Sequence, residues 1–147
     1  MSYQEAMQAA GAEVHEFQEF GSYQGDWWAK VTYNGKTGWV TGSYGSCSGC
    51  DAFEGEFDYS SHYCNGDDYY SPFYSDDKFR DCCETCQSLK ERFIKFGKEY
   101  LECIMSQEKA EAKASENLEW DMDAQEMVDF LRSHSIGAGD CSSESGL

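Results

Sequence analysis

The chain has 147 residues, enough for one domain with its own core, and a formal net charge of −17 at pH 7. Such a charge repels nucleic-acid phosphates and favours basic protein surfaces, so direct nucleic-acid binding is disfavoured. An aromatic content of 16% argues against disorder, and no apolar run approaches the roughly 20 residues that span a bilayer, so no membrane partner is expected.

In chain order, Met1–Gln8 has neither the basic nor the apolar stretch of a secretory signal. With eight cysteines in the chain, this predicts a cytoplasmic, reducing setting in which cysteines are metal ligands or buried thiols. Residues 3–10 read as a short helix, with Ser2 as a possible N-cap and Gly11 just past its end. Residues 12–20 carry Val14, Phe17 and Phe20 among acids and fit a strand or a helical turn equally. The β-branched and aromatic run 27–33, the Asn34-Gly35 pair and the answering run 36–41 predict a hairpin. Within it, Trp28-Ala-Lys-Val-Thr-Tyr-Asn-Gly-Lys-Thr-Gly-Trp39-Val-Thr-Gly-Ser-Tyr44 resembles the second half of a bacterial Src-homology-three-type domain. That resemblance implies cell-wall peptide binding. The Asn-Val-Arg-x-Gly-Pro stretch of such domains is absent, since residues 1–20 have no arginine or proline.

Residues 42–74 hold glycines, aromatics, acids and the only proline, Pro72; a loop region this long is functional or is organised by something such as a metal. The segment Gly42-Ser-Tyr-Gly-Ser-Cys-Ser-Gly-Cys-Asp51-Ala-Phe53 resembles one in small uncharacterised acidic proteins of tailed phages, a resemblance that brings no known activity. From Ser75 the pattern turns helical, over about 76–105, with Phe79, Cys82, Cys86, Leu89, Phe93, Phe96, Tyr100 and Cys103 in one apolar stripe. A weakly amphipathic helix follows over about 107–118. A last one opens at Asp123-Ala-Gln-Glu126, an Asp-headed variant of the capping box. The expected fold is α+β: a small antiparallel sheet around the 27–41 hairpin packed on the long helix, with the final helix covering one side. Residues 1–136 form the domain and 137–147 a flexible tail.

Two Cys-x-x-Cys pairs, Cys47/Cys50 and Cys83/Cys86, carry the chemistry. Two residues of spacing let both thiolates point at one ion, so the pairs together make a structural zinc site tying the glycine-rich turn to the helix. Rivals are Cys82, which lies on the apolar stripe, and the set Cys47, Cys50, His62 and Cys64. A redox role for Cys47/Cys50 requires a helix starting at the first cysteine, and that segment offers a single turn. Cys103 reads as core, Cys141 as a free thiol in the tail, and His15 and His134 as surface residues without ligand-spaced partners.

No nucleophile–histidine–acid signature, phosphate loop or calcium loop is written locally. Between Lys36 and Lys78 there is no Lys or Arg, and the gap holds eight carboxylates from Asp51 to Asp77, interleaved with Phe and Tyr. Acids beside aromatics suit docking on a basic surface, with Asp67, Asp68, Tyr69 and Tyr70 as candidate contacts. The function expected is a small cytoplasmic, non-enzymatic binding protein of phage type. It would occupy a basic surface of a host protein, inhibiting a nucleic-acid-binding defence or restriction component, with nucleic-acid mimicry as one form of that inhibition. The alternative is a small metal-dependent enzyme using the cysteine cluster.

Overall fold

The computed structural model describes residues 3–22, 24–45, 51–57, 62–64, 68–70, 83–116, 118 and 123–136. Their elements run α1 (Tyr3–Ala9), β1 (Glu13–Gly21), β2 (Gly25–Tyr33), β3 (Lys36–Tyr44), α2 (Ala52–Phe57), β4 (His62–Cys64), β5 (Asp68–Tyr70), α3 (Glu84–Leu101), α4 (Gln107–Ser115) and α5 (Ala124–Ser133). The class is α+β, with β1, β2 and β3 forming an antiparallel meander in that order. Residues 12–20, ambiguous in sequence, are a strand because β2 offers Glu13–Gly21 a full antiparallel partner. The predicted hairpin stands, with Asn34 at φ 52° and Gly35 at φ 79° making the left-handed two-residue turn. The tail 137–147 lies outside the described residues.

Strand β2 decides the layering. Successive residues of a strand point to opposite faces, and Trp27, Trp28, Ala29 and Val31 are all buried, so both faces of the sheet are covered. On one face Trp27, Ala29, Val31 and Val40 pack with Tyr3, Met7, Phe53, Phe57, Leu89 and Phe93 from α1, α2 and α3. On the other, Trp28, Trp39 and Phe20 pack with Ala110, Ala114, Met127, Val128 and Leu131 from α4 and α5. Register keeps the faces separate: Ala29 is opposite Val40, and Lys30 opposite Trp39.

The first core is aromatic. Trp27 stacks on Phe17 at 5.3 Å and meets Tyr100 edge-on at 5.1 Å. In the second, Phe130 meets both Phe20 and Trp39 edge-on, at 5.6 and 5.7 Å. A polar hub closes it. Trp39 Nε1 donates to Gln107 Oε1 (2.6 Å), Ile136 N donates to the same oxygen (3.1 Å), and Gln107 Nε2 donates to the Leu131 carbonyl (2.9 Å). Trp39 also exchanges backbone hydrogen bonds with Met105, covering the β3 edge at that point.

Three local expectations change. Cys103 is exposed, because α3 ends at Leu101 and the stripe ends with it. Asp123 makes no side-chain cap, since its own backbone is helical and the capping geometry needs an extended N-cap. Asp51 is buried and does not belong to an acidic surface. It accepts from Tyr3 Oη (2.7 Å), Gly45 N (2.8 Å) and Phe53 N (2.9 Å), pinning α1, the end of β3 and the start of α2 together. Phe79 and Cys82 lie outside the described residues.

Gly97 has a packing role that helix propensity hides: a Cβ there would sit 2.0 Å from the Ala6 carbonyl oxygen of α1. Gly97→Ala, which by propensity alone gains about 1 kcal/mol, is expected to lose about 1–3 kcal/mol net through overpacking. Phe93→Ala, at a fully buried position, is expected to lose about 3–5 kcal/mol. Urea unfolding of both variants measures this, and parent-like midpoints would refute the packing.

Burial, then the Asp51 carboxylate, raises the Tyr3 phenol; burial, then Asp51 and Glu99, pushes Tyr100 up to about 12. Both phenols are raised above their unfolded values, so their contribution is complete below about pH 10 and is lost as pH rises towards 12. Absorbance at 295 nm is expected to show two tyrosines ionising late, together with unfolding.

Candidate metal centre

The centre is built from two unlike pieces. In β4, His62 and Cys64 are two residues apart and therefore share a face, while Tyr63 between them points away. At the start of α3, Cys83 is the N-cap in extended conformation, and Cys86 follows in the first turn as a buried residue. The N-cap position brings a thiol to the helix end, where backbone N–H groups lack intrahelical partners. Cys83 Sγ accepts from Cys86 N at 3.4 Å.

His62, Cys64, Cys83 and Cys86 present one donor atom each, all within 4.8 Å of one another. Cys64 Sγ lies 3.6 Å from both Cys83 Sγ and Cys86 Sγ, and His62 Nε2 lies 3.4 Å from both of those sulfurs. A tetrahedral ion with bonds of about 2.3 Å to sulfur and about 2.0–2.1 Å to nitrogen sets its ligand atoms about 3.5–3.8 Å apart. The four contact distances of 3.4–3.6 Å fall near those edges while the whole donor set spans up to 4.8 Å, and the four groups could hold a metal ion.

The electrostatics agree. The Cys83 thiol is drawn down to about 7, chiefly by the Cys86 backbone N–H; burial opposes this, and the Cys86 side chain, His62 and the Thr85 N–H assist it. A thiolate is the form that binds metal. Cys64 is disulfide-bonded, whereas Cys83, Cys86 and Cys103 are not. Its sulfur becomes a thiolate ligand only when that bond is reduced.

Of the predicted ligands, Cys83 and Cys86 come together, and they do so with the rivals His62 and Cys64. Cys47, Cys50 and Cys82 lie outside the described residues. Of the predicted contacts, Asp67 lies outside them too, while Asp68, Tyr69 and Tyr70 occupy β5 opposite Cys64, Tyr63 and His62. The signal for the centre was the His62-x-Cys64 alternation, legible only once that segment is read as a strand. His15 and His134 lie elsewhere: His15 Nε2 bonds Thr32 Oγ1 at 2.8 Å, and His134 Nδ1 lies 3.4 Å from a Glu16 carboxylate oxygen. A cleft of about 580 Å³ beside α4 is lined by Tyr100, Cys103, Met105, Lys109 and Lys113 among others.

No protein-family model, curated protein or solved structure matches the chain. No helix among the described residues is long and apolar enough to cross a membrane.

Metal analysis of the reduced, full-length chain is expected to find about one equivalent of zinc. Cys86→Ser is expected to lose most of it, whereas Cys103→Ser and Cys47→Ser keep it. Less than about a tenth of an equivalent in the parent would remove the metal. Loss in Cys47→Ser with retention in His62→Ala would restore the ligand set expected from spacing.

Proposed function

We propose that this chain is a small acidic binding protein of phage type. It docks on a basic surface of a host protein, such as a nucleic-acid-binding defence or restriction component, and uses structural zinc to fix part of its contact surface. One observation carries the reading: Tyr63 is 66% exposed although its two neighbours, His62 and Cys64, belong to the group that could hold a metal ion. A large aromatic fixed in the open is the kind of group that anchors protein contacts. Its cross-strand partner is Tyr69, and Asp68 stands next to that residue. The chain around them, from Lys36 to Lys78, has no internal Lys or Arg.

The acidic surface is narrower than composition implies. Asp51 is buried, and Glu56 is engaged by Arg92 at 2.9 Å. The exposed Glu56–Arg92 pair adds little stability, but it removes one acid from the set available to a partner. Zinc is favoured over a two-iron cluster because four donors this close suit one ion, whereas a cluster spreads its ligands over two metals. Four protein ligands close the coordination sphere, which favours a structural role over the enzyme alternative, for which three ligands and an open position are needed.

The test is fluorescence titration of the purified chain with a labelled oligo-arginine peptide and with a DNA duplex. The peptide is expected to bind and to weaken as salt rises, since exposed charges are screened beyond about 8 Å at 0.15 M; the duplex is expected not to bind. Asp67→Lys with Asp68→Lys is expected to slow association, and Tyr63→Ala to speed dissociation. Unchanged peptide binding by a folded charge-reversed variant would assign those acids to solubility alone.

A further inference from the structure

We propose that β1 is a docking edge, to which an extended, basic segment of a partner protein adds as an outer strand. β1 lies at the margin of the β1-β2-β3 sheet, and among the described residues its ladder has β2 alone as partner. It is nine residues long, against about five or six for a typical strand. Register shows which of its backbone groups are open, because hydrogen bonding alternates along each strand of an antiparallel pair. Trp39 spends its N–H and C=O on Met105, so its neighbours Gly38 and Val40 face β2. Their partners Val31 and Ala29 therefore bond β3, and Lys30 and Trp28 face β1. Opposite those two stand Glu16 and Gln18, which leaves the N–H and C=O groups of Phe17 and Glu19 directed away from the sheet. No hydrogen bond from another described residue reaches them.

The strand is held by its faces. Phe17 stacks on Trp27 and Phe20 meets Phe130 edge-on, so the open edge belongs to a packed sheet and needs no rearrangement to receive a segment. Main-chain bonds then supply affinity, and the side chains along the edge supply selectivity. Glu13 and Glu19 are exposed, Glu16 lies between them in sequence, and no Lys or Arg precedes Lys30. Charge on an open edge keeps like copies from pairing there, and each copy of this chain carries −17. The same acids favour a strand bearing Lys or Arg, since opposite charges across a ladder attract. The basic character of the occupant rests on the binding reading above, whereas the open edge does not. The surface is separate from that of Tyr63, which lies in the β4–β5 sheet.

Amide hydrogen exchange of the full chain, read by NMR with and without a soluble peptide of alternating lysine and valine, tests this. In the free chain the Phe17 and Glu19 amides are expected to exchange on the order of 100-fold faster than those of Gln18 and Phe20. Saturating peptide is expected to slow Phe17 and Glu19 at least about tenfold and the other two by less than about threefold. The same peptide methylated at every backbone nitrogen keeps its charge but loses its donors, and is expected to protect neither. Glu13→Lys with Glu19→Lys is expected to reverse the preference, towards a peptide of alternating glutamate and valine. Slow exchange of Phe17 and Glu19 in the free monomer would overturn the proposal by showing the edge covered. Equal protection by the methylated peptide would overturn it by reducing the contact to charge, and protection of both amides in a concentration-dependent dimer by assigning the edge to a second copy. Equal protection by an uncharged threonine–valine peptide would refute the basic occupant. Tyr63→Ala is expected to leave the edge protection unchanged. Peptide binding that is lost in Tyr63→Ala and never protects β1 would overturn the proposal and leave the binding reading above standing.

Discussion

The structure depends on the pleat of β2. Trp27 and Trp28 are adjacent and both buried, which a strand permits only if protein covers each face of the sheet. A chain of this length then has to divide its helices between two sides. Those near the N-terminus, together with the long α3, take the Trp27 face, and the last two take the Trp28 face. The Trp39–Met105 bridge follows from this arrangement, since the chain leaving α3 must pass the β3 edge to reach the opposite face, and it exchanges two hydrogen bonds there. Gln107, placed directly after that crossing, collects the polar atoms that the second core would otherwise strand.

Against that body the metal centre is peripheral. It joins a minimal hairpin to one end of a helix that is already fixed by Leu89, Phe93 and Leu101. Its chemistry is that of a helix N-terminus. The backbone N–H groups of Cys86 and Thr85 lower the Cys83 thiol towards the thiolate form that a metal ion would take. A metal ion and a disulfide would compete for the Cys64 sulfur, which cannot serve at once in a disulfide and as a thiolate ligand.

The parts legible in sequence are those with a strong local period or turn. The Asn34-Gly35 hairpin and the helices beginning at Tyr3 and Gln107 lie where pattern places them. The apolar spacing through Cys86, Leu89 and Phe93 marks the buried side of α3, yet it carries on to Cys103, because spacing does not register that the helix stops at Leu101. What was not legible depends on distant partners. Nothing near Asp51 in sequence announces that Tyr3, 48 residues away, donates to it. Gly97 reads as a mild fault in a helix, and its reason is the α1 backbone. The metal centre was half legible. Cys-x-x-Cys is a short-range signature and marked Cys83 and Cys86, whereas His62 and Cys64 reach them only through a hairpin three residues long, below the length at which strand periodicity can be read.

Charge is where composition and structure part most clearly. A net charge of −17 describes the whole chain, but a partner meets only groups that are exposed and uncommitted. Asp51 is used inside the core, Glu56 is held by Arg92, and Glu111 is held by Gln107 and Arg132, which draw its carboxyl below the usual range. Acids spent in this way shape the fold and leave recognition to the remainder. On the binding reading proposed above, long-range attraction from the overall field would bring a basic partner close, decaying over about 8 Å at 0.15 M salt. At contact, specificity needs a group with fixed geometry, and among the described residues the most exposed large aromatic is Tyr63. On that reading the diffuse charge would govern encounter rate and the exposed ring residence time.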